Sequence, residues 1–494
     1  MNHLVTAEEY DLVILGSGVG TKLAAWTLAA QGWRVAVIER KYIGGSCPNI
    51  ACMPSKNIIH SAKVASYVRH SNAFGIEHGH TTVNMAAVRE RKRRMVSASV
   101  EFHLEDYRKS GAELVLGSAR FIAAKTVEAK LLDGSTRVLR GKNVIIGTGT
   151  RAALESIPGL AEAQPLTHVE ALELDELPEH LVVIGGGYVG LEFAQAMARF
   201  GSHVSILDRN HRLMHREDED VSEALASLLE DEGIELVLDA RIREVSGRSG
   251  NRTGLIIDQN GVERILEGTH LMIAAGRIPN TEDLRLDLAG VEVTDRGYIK
   301  VDERLETTAP GVWAIGEVAG SPQFTHISAD DFRVVTAQLT GGDRVTTGRH
   351  VPFCLFTDPE FARIGLSESE ARSRGVPYRL FKMPMAGVLR TQTLSETRGF
   401  MKALVSPDTS RILGFTAVGV GAGEIMSAVQ IAMLGNLTWM ALRDAILTHP
   451  TLTEGLNGLF WSPPSDPGMS TPEVRQTMSD ENQVAIHGGA SINR

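Results

Sequence analysis

Short apolar runs that end on glycine occur twice in this chain, each followed by a helical pattern. Tyr10-Asp11-Leu12-Val13-Ile14-Leu15 reads as a buried strand entering Gly16-Ser17-Gly18-Val19-Gly20-Thr21, and a stretch rich in Ala and Leu follows. A second strand, Arg34-Val35-Ala36-Val37-Ile38, ends at the acid Glu39. Further on, Leu181-Val182-Val183-Ile184 runs into Gly185-Gly186-Gly187-Tyr188-Val189-Gly190. A helix is predicted over 191–200, and the strand His203-Val204-Ser205-Ile206-Leu207 then ends at Asp208. Each is a strand–helix–strand unit with an acid about 20 residues past the glycines. Such glycines let a helix N-terminus approach a pyrophosphate, and such an acid can hold a ribose hydroxyl. The second unit fills all three glycine positions; in the first, Thr21 takes the third, so its helix is expected to sit slightly further from the strand. Two such units imply two nucleotides and electron transfer between them. Val144-Ile145-Ile146-Gly147-Thr148-Gly149 and Leu271-Met272-Ile273-Ala274-Ala275-Gly276-Arg277 read as the returning strands of the two units.

Just after the first unit stands Gly44-Gly45-Ser46-Cys47-Pro48-Asn49-Ile50-Ala51-Cys52-Met53-Pro54-Ser55-Lys56. Ile58, Ile59, Ala62, Ala65 and Val68 then give a helical stripe, with Pro54 suited to a first turn. Residues five apart in a regular helix have Cα atoms roughly 8–9 Å apart, and a disulfide needs under about 7 Å. The two cysteines can bridge only over a distorted backbone, and Pro48 is expected to help break the ladder. A distorted bridge beside a helix N-terminus is easy to reduce, and that terminus lowers thiolate pKa. The pattern is that of a switchable dithiol. Zinc is the rival reading, but no second C-x-x-C or matched His pair accompanies it, and no resident metal is expected.

Composition narrows the setting. The 494 residues allow roughly two to four domains. A net charge of −10 gives no reason to expect nucleic-acid binding. No apolar run approaches the roughly 18 residues of a membrane span, and Met1 to Tyr10 does not read as a secretory signal, so a cytoplasmic location is expected. Three cysteines in so long a chain are not a structural disulfide framework. The run Arg89-Glu90-Arg91-Lys92-Arg93-Arg94 reads as a solvated helix face.

The stretch G-G-S-C-x-x-x-x-C-M-P-S-K resembles the active-site signature of the class I pyridine nucleotide-disulfide oxidoreductases, which include dihydrolipoamide dehydrogenase, glutathione reductase and mercuric reductase. The resemblance extends from about Tyr10 to Phe460. It implies an α/β fold with two Rossmann-like nucleotide-binding domains and a C-terminal α+β dimerisation domain. The implied boundaries are 1–155 for the first part of the FAD domain, 156–280 for the NAD(P) domain, 281–350 for the return to the FAD domain, 351–461 for dimerisation and 462–494 for a flexible tail. It implies that Cys52 lies next to the flavin and that Cys47 attacks substrate. Lys56 would lie near the flavin ring, paired with Glu192, and Tyr188 would cover the nicotinamide pocket. Thr307-Thr308-Ala309-Pro310-Gly311-Val312-Trp313-Ala314-Ile315-Gly316-Glu317 matches a second FAD motif whose usual Gly-Asp ending is here Gly316-Glu317, one methylene longer. Gln323-Phe324-Thr325-His326 lies where the family runs a helix N-terminus under the flavin. Cofactor contacts are expected at Gly16, Ser17, Gly18, Glu39, Arg40, Gly45, Ser46, Lys56, Ala119, Thr148, Gly149, Gly316, Glu317, Gly185, Gly187, Tyr188, Gly190, Asp208, Arg209, Gly276 and Arg277.

His449-Pro450-Thr451-Leu452-Thr453-Glu454 resembles the family's acid–base motif. Departing thiolates need protons, and an imidazole oriented by a carboxylate supplies them near neutral pH. By resemblance, His449 reaches the cysteines of the other subunit, so a homodimer is expected. Cys354 would lie on the first strand of the dimerisation domain as a buried, inert thiol. Asp208 favours the 2′-hydroxyl of NAD(H) over the phosphate of NADP(H), although Arg209, Arg212 and Arg216 follow it. The chain is thus expected to be an FAD-dependent NAD(P)H:disulfide/dithiol oxidoreductase. A Hg(II) or Cu(II) reductase of the same family is an alternative, since the overall layout looks close to a bacterial branch linked to oxidative stress and Cu(II) reduction. A flavin oxidase or quinone reductase with idle cysteines is another, and a nucleotide-sensing binding protein the non-enzymatic one.

Overall fold

The computed structural model describes residues 6–465. Of the predicted tail, 466–494 lies outside the described residues. The first apolar run is the strand Glu8–Leu15, whose residues 12–15 are buried. It pairs in parallel with Val35–Glu39 on one side and Thr136–Ile146 on the other. Glu113–Ala123 and Val312–Ala314 extend this parallel sheet at its two edges. Thr126–Leu131 closes one end, running antiparallel to both long strands.

Helix α1 (Val19–Ala30) crosses this sheet. Thr21, in the third glycine position, is fully buried and its hydroxyl donates to Gly18 O at 2.9 Å. Room for it comes from the neighbouring strand end: a Cβ at Gly147 would lie 2.3 Å from the Thr21 methyl. A missing side chain on one segment thus compensates for an added one on the other. Next come α2 (Ser46–Ile50), α3 (Cys52–Arg69) and the long α4 (Met85–Ser110), capped by Asn84. The basic run on α4 is not simply a solvated face. Arg89 pairs with Asp175, Lys92 and Arg93 share Glu173, and Arg91 donates to Asn57. Lys92 is 2% exposed, so these cations tie α4 to α3 and to the start of the second unit.

The second unit is a parallel sheet ordered His270–Ile273, His180–Ile184, His203–Leu207, Glu235–Val237. After the short α5 (His168–Ala171), α6 (Tyr188–Phe200) begins three residues earlier than the sequence suggested, and α7 (Glu219–Asp231) follows. The helix approaches its strand most closely at Gly190, where a Cβ would lie 1.9 Å from Gly185 O. A three-stranded antiparallel layer, Ala240–Arg248, Arg252–Gln259 and Val262–Gly268, covers this unit. The chain passes between the two nucleotide-binding sheets along Thr150–Ala152 and Arg277–Pro279, which pair antiparallel.

Helix α8 (Thr325–Leu339) packs on α1, with the Gly20 N–H donating to the Ser328 hydroxyl. Beyond it, five antiparallel strands in the order Phe353–Leu355, Glu360–Gly365, Ile412–Gly419, Phe400–Val405, Arg379–Pro384 form the C-terminal sheet. The whole is α/β with two nucleotide-binding folds and a C-terminal α+β unit. Lys402 locks that unit to the second fold. It is fully buried and meets Asp218, Asp220 and Glu368 at 2.8–2.9 Å. Removing one partner from a buried ionic cluster leaves uncompensated charge, at about 3–5 kcal/mol. Lys402→Met is expected to lose about that much stability, read as a lower urea midpoint; an unchanged midpoint would show that the cluster contributes little.

Among the described residues, no helix is long and apolar enough to cross a membrane.

Candidate active site

Two helical segments meet at the cysteine pair. Cys47 lies in the first turn of α2 and Cys52 opens α3, with Ala51 between them at φ −135°, ψ −106°. That single residue supplies the distortion the spacing demands. Pro48, expected to help break the ladder, sits inside α2, three residues before that distortion. Pro54 falls in the first turn of α3 as expected.

Both sulfurs are free thiols and unequal. The neighbouring Cys47 thiol draws the Cys52 thiol below its usual range against the burial that would raise it; Thr325 and Lys56 add to the effect. The same proximity, with burial, pushes Cys47 well up. The Thr325 hydroxyl lies 3.3 Å from the Cys52 sulfur. The negative charge of the pair is thus favoured on Cys52 and the proton on Cys47. The N-terminus of the 18-residue α3 favours that thiolate further. Thr325 is a site residue whose contact the sequence did not disclose, because only the fold brings α8 to α3.

One helical turn beyond Cys52, Lys56 pairs with Glu192 at 2.7 Å. The other Glu192 oxygen accepts from the Phe356 N–H at 3.0 Å, and the Lys56 ammonium lies 4.7 Å over the Phe356 ring. The expected pair thus joins α3, α6 and the entry to the C-terminal unit. Tyr188, first in α6, stands edge-on to Phe324 and Phe353, which stack at 5.6 Å.

The glycine turns are built for close approach. Gly16 has φ +92°, and a Cβ there would lie 2.5 Å from Gly147 O. The Glu39 carboxylate accepts from the Ser17 N–H and hydroxyl on one oxygen and from the Lys41 and Tyr42 N–H groups on the other. Gly45 packs on the Gly18 Cα. Thr148 and Asn280 exchange side-chain-to-carbonyl bonds beside Gly149. Gly149, Gly187 and Gly276 face open space. Gly187, Gly276, Ser46, both cysteines, Lys56 and Asp208 line one continuous cavity of about 3150 Å³, far beyond the roughly 300–1,000 Å³ of a single small-ligand pocket. Turns without side chains beside open space, with fixed acids behind them, fit two dinucleotides.

Glu317 and Arg277, expected from separate motifs, come together on the cavity wall. Glu317 accepts from the Thr150 hydroxyl and from Arg277 Nε, the latter at 3.3 Å. The Asp208 carboxylate accepts from the Gly186 N–H at 2.6 Å and from Asn210 on its second oxygen. Arg209 and Arg216 flank it on the cavity wall. Ala119 sits mid-strand opposite Ala129, packed against the sheet core, and Arg40 is exposed. Cys354 is half-buried on the cavity wall, not fully enclosed; burial still pushes its thiol well up. His449 Nδ1 meets both Glu454 oxygens at 2.9 and 3.0 Å, with the imidazole exposed on the C-terminal unit.

Two glycine-turn nucleotide cradles, the second of them lining a cavity that also carries the cysteine pair in its wall, define an enzyme that passes electron pairs between a pyridine nucleotide and a dithiol. The chain belongs to the pyridine nucleotide-disulphide oxidoreductase family: that family's model matches residues 10–331 and its dimerisation-domain model matches residues 351–459. The Escherichia coli oxidoreductase RclA is 36% identical over 459 residues, covering 92% of this chain and 99% of RclA. A mercuric reductase of Staphylococcus aureus is 32% identical, covering 91% and 81%. A dihydrolipoyl dehydrogenase of Mycoplasma pneumoniae is 30% identical, covering 90% and 96%. Among solved structures, the HOCl-induced flavoprotein disulfide reductase RclA from Escherichia coli, in a Cu(II) complex, superposes with a TM-score of 0.84 at 34% identity, covering 92% of this chain and 99% of the other. The chain is therefore an FAD-dependent oxidoreductase that uses a pyridine nucleotide, with the family's dimerisation domain at its C-terminal end.

Proposed function

We propose that this enzyme is a cytoplasmic homodimer that uses NADH to reduce a small or protein-bound disulfide through Cys47 and Cys52. The single observation that carries this reading is the placement of Cys47 and Cys52 together on the cavity wall, with the Lys56–Glu192 pair one helical turn beyond Cys52. FAD, when bound, carries an electron pair between the nicotinamide and the dithiol. Gly16, Ser17, Gly18, Glu39, Gly45, Ser46, Lys56, Gly149 and Gly316 would hold it, and Gly185, Gly187, Tyr188, Gly190 and Asp208 would hold the pyridine nucleotide. Both Asp208 oxygens are fixed by protein donors, so a charge stands ready for the ribose hydroxyl of NAD, which supports NADH over NADPH. The boundaries proposed from sequence, 1–155, 156–280, 281–350 and 351–461, separate these functions.

In the oxidative half-reaction, Cys47 gives its proton to His449 of the partner subunit and attacks one sulfur of the substrate disulfide. A Cys47–substrate bond forms, the substrate S–S bond breaks, and the departing thiolate takes a proton from His449 of the partner subunit. The Cys52 thiolate then attacks the Cys47 sulfur, closing the Cys47–Cys52 disulfide and releasing the second substrate thiolate. Glu454 orients the imidazole throughout.

A second reading, metal-ion reduction, is supported by the likeness to mercuric reductases and to RclA, whose structure carries Cu(II). One panel separates them. With purified holoenzyme and NADH or NADPH, lipoamide or glutathione disulfide is expected to turn over at least about tenfold faster than Cu(II) or Hg(II), and NADH faster than NADPH. Preference for a metal ion would replace the disulfide reading.

A further inference from the structure

The first two strands of the C-terminal sheet are joined by the tip Phe356-Thr357-Asp358-Pro359. Three residues on one stripe of α6 hold this tip: Glu192, Gln195 and Arg199, spaced i, i+3 and i+7. All three are more than nine-tenths buried. Glu192 accepts from the Phe356 N–H at 3.0 Å. The Gln195 amide brackets the Asp358 backbone, accepting from its N–H at 2.8 Å and donating to its carbonyl at 2.9 Å. Arg199 donates to the same carbonyl at 2.8 Å and to the Asp358 carboxylate at 2.6 Å. From α3, Lys63 reaches the other carboxylate oxygen at 2.8 Å. Lys63 stands two turns beyond Lys56 on the same helix.

Behind the tip, Glu232 at the end of α7 accepts two bonds from Arg199, at 2.6 and 2.8 Å, and one from Gln195 at 3.1 Å. Charge therefore alternates along Lys63, Asp358, Arg199 and Glu232. Burial would raise the Asp358 carboxyl, but Arg199 and Lys63 hold it below the usual carboxylate range, so it is charged. The Lys402 cluster docks the same C-terminal unit at Asp218, at the opposite end of α7. Docking of the unit thus does not hang on Asp358 alone. What the tip adds is local. The Phe356 N–H holds one Glu192 oxygen, and the Phe356 ring lies 4.7 Å under the Lys56 ammonium. Both members of the Lys56–Glu192 pair are seated on this one residue.

We propose that Asp358 is a positioning residue for the dithiol site: clamped between Lys63 and Arg199, it fixes the tip that seats Lys56 and Glu192 one turn beyond Cys52. This role rests on Lys56 lying against the flavin, as in the proposed function. Lysine is a point charge on a flexible stem, and the Lys56 side chain is 33% exposed, so without its seat on Phe356 it turns toward solvent. A cation beside the flavin favours the negative charge that reduction places there. Releasing Lys56 therefore makes the flavin harder to reduce. Removing the Asp358 charge acts the other way through space, since one negative charge fewer favours reduction. The two effects differ in sign.

The test is the flavin midpoint potential of the purified holoenzyme, measured against a reference dye. A Cys47→Ser background is used throughout, so that no Cys47–Cys52 disulfide competes for electrons. Asp358→Asn, Lys56→Met and both together are added to it. Lys56→Met is expected to make two-electron reduction about tenfold less favourable, a fall of about 30 mV. Asp358→Asn should cost about fivefold, a fall of about 20 mV, and should add nothing further to Lys56→Met. An unchanged or raised potential in Asp358→Asn, with Lys56→Met lowered, overturns the proposal. So does a fall that adds in full when the two are combined, because Asp358 would then act on another group. An unchanged potential in Lys56→Met instead removes Lys56 from the flavin, and this role of Asp358 with it. Should Asp358→Asn fail to retain flavin, Gln195→Met decides. It frees the same tip without changing a charge, and an unchanged potential there overturns the proposal.

Discussion

In a Cys47→Ser enzyme, NADH-dependent disulfide turnover is expected to fall by about a thousandfold or more, while NADH still bleaches the flavin absorbance. A serine hydroxyl at the start of α2 keeps the turn and most of the packing. It removes the sulfur that, in the proposed mechanism, exchanges with substrate and closes onto Cys52. The nucleotide cradles, the Lys56–Glu192 pair and the Tyr188 cluster do not depend on it, so the nicotinamide side should continue to work. Stopped-flow absorbance separates the two events. Full turnover in this variant would mean that the flavin delivers electrons directly to the acceptor and that the cysteines are idle.

His449→Gln should lower disulfide turnover by about 10²–10⁴-fold at neutral pH, the range for removing a general acid–base. Glutamine keeps a donor toward Glu454, and the site is exposed, so stability should change by no more than about 0.5 kcal/mol. The loss should fall on the thiol-exchange step and leave NADH-dependent bleaching intact. It should also depend on the acceptor. A departing thiolate needs a proton, whereas a metal ion that accepts electrons does not, so metal-ion reduction should survive the substitution. Equal loss with both acceptors, or loss confined to bleaching, would remove His449 from the proton path.

The two nucleotide units were legible because their signal is local. Strand, glycine turn, helix and acid lie within about 30 residues, and each piece is tied to backbone geometry. The cysteine spacing was legible as a demand for distortion. Its location at Ala51 was not, because Ala51 carries no conformational signature and Pro48 did. The pairing of Lys56 with Glu192 came from resemblance alone, since 136 residues separate them. Thr325 beside Cys52 and Asp358 between Lys63 and Arg199 were illegible for the same reason: both contacts depend on how distant segments pack. The basic run on α4 is exposed at Glu90, Arg91, Arg93 and Arg94 as its charge density suggests, and only the burial of Lys92 against Glu173, from a distant segment, was not legible.

The two sulfurs of the proposed mechanism are unequal, and mixed-disulfide trapping tests that inequality most directly. In a Cys52→Ser enzyme, Cys47 can attack an aromatic disulfide such as 5,5′-dithiobis(2-nitrobenzoate), and no second thiol remains to resolve the product. Intact-protein mass should show one adduct, mapped to Cys47, whereas Cys47→Ser under the same conditions should accumulate none at Cys52. An adduct on Cys52 in Cys47→Ser, with none on Cys47 in Cys52→Ser, would contradict the account.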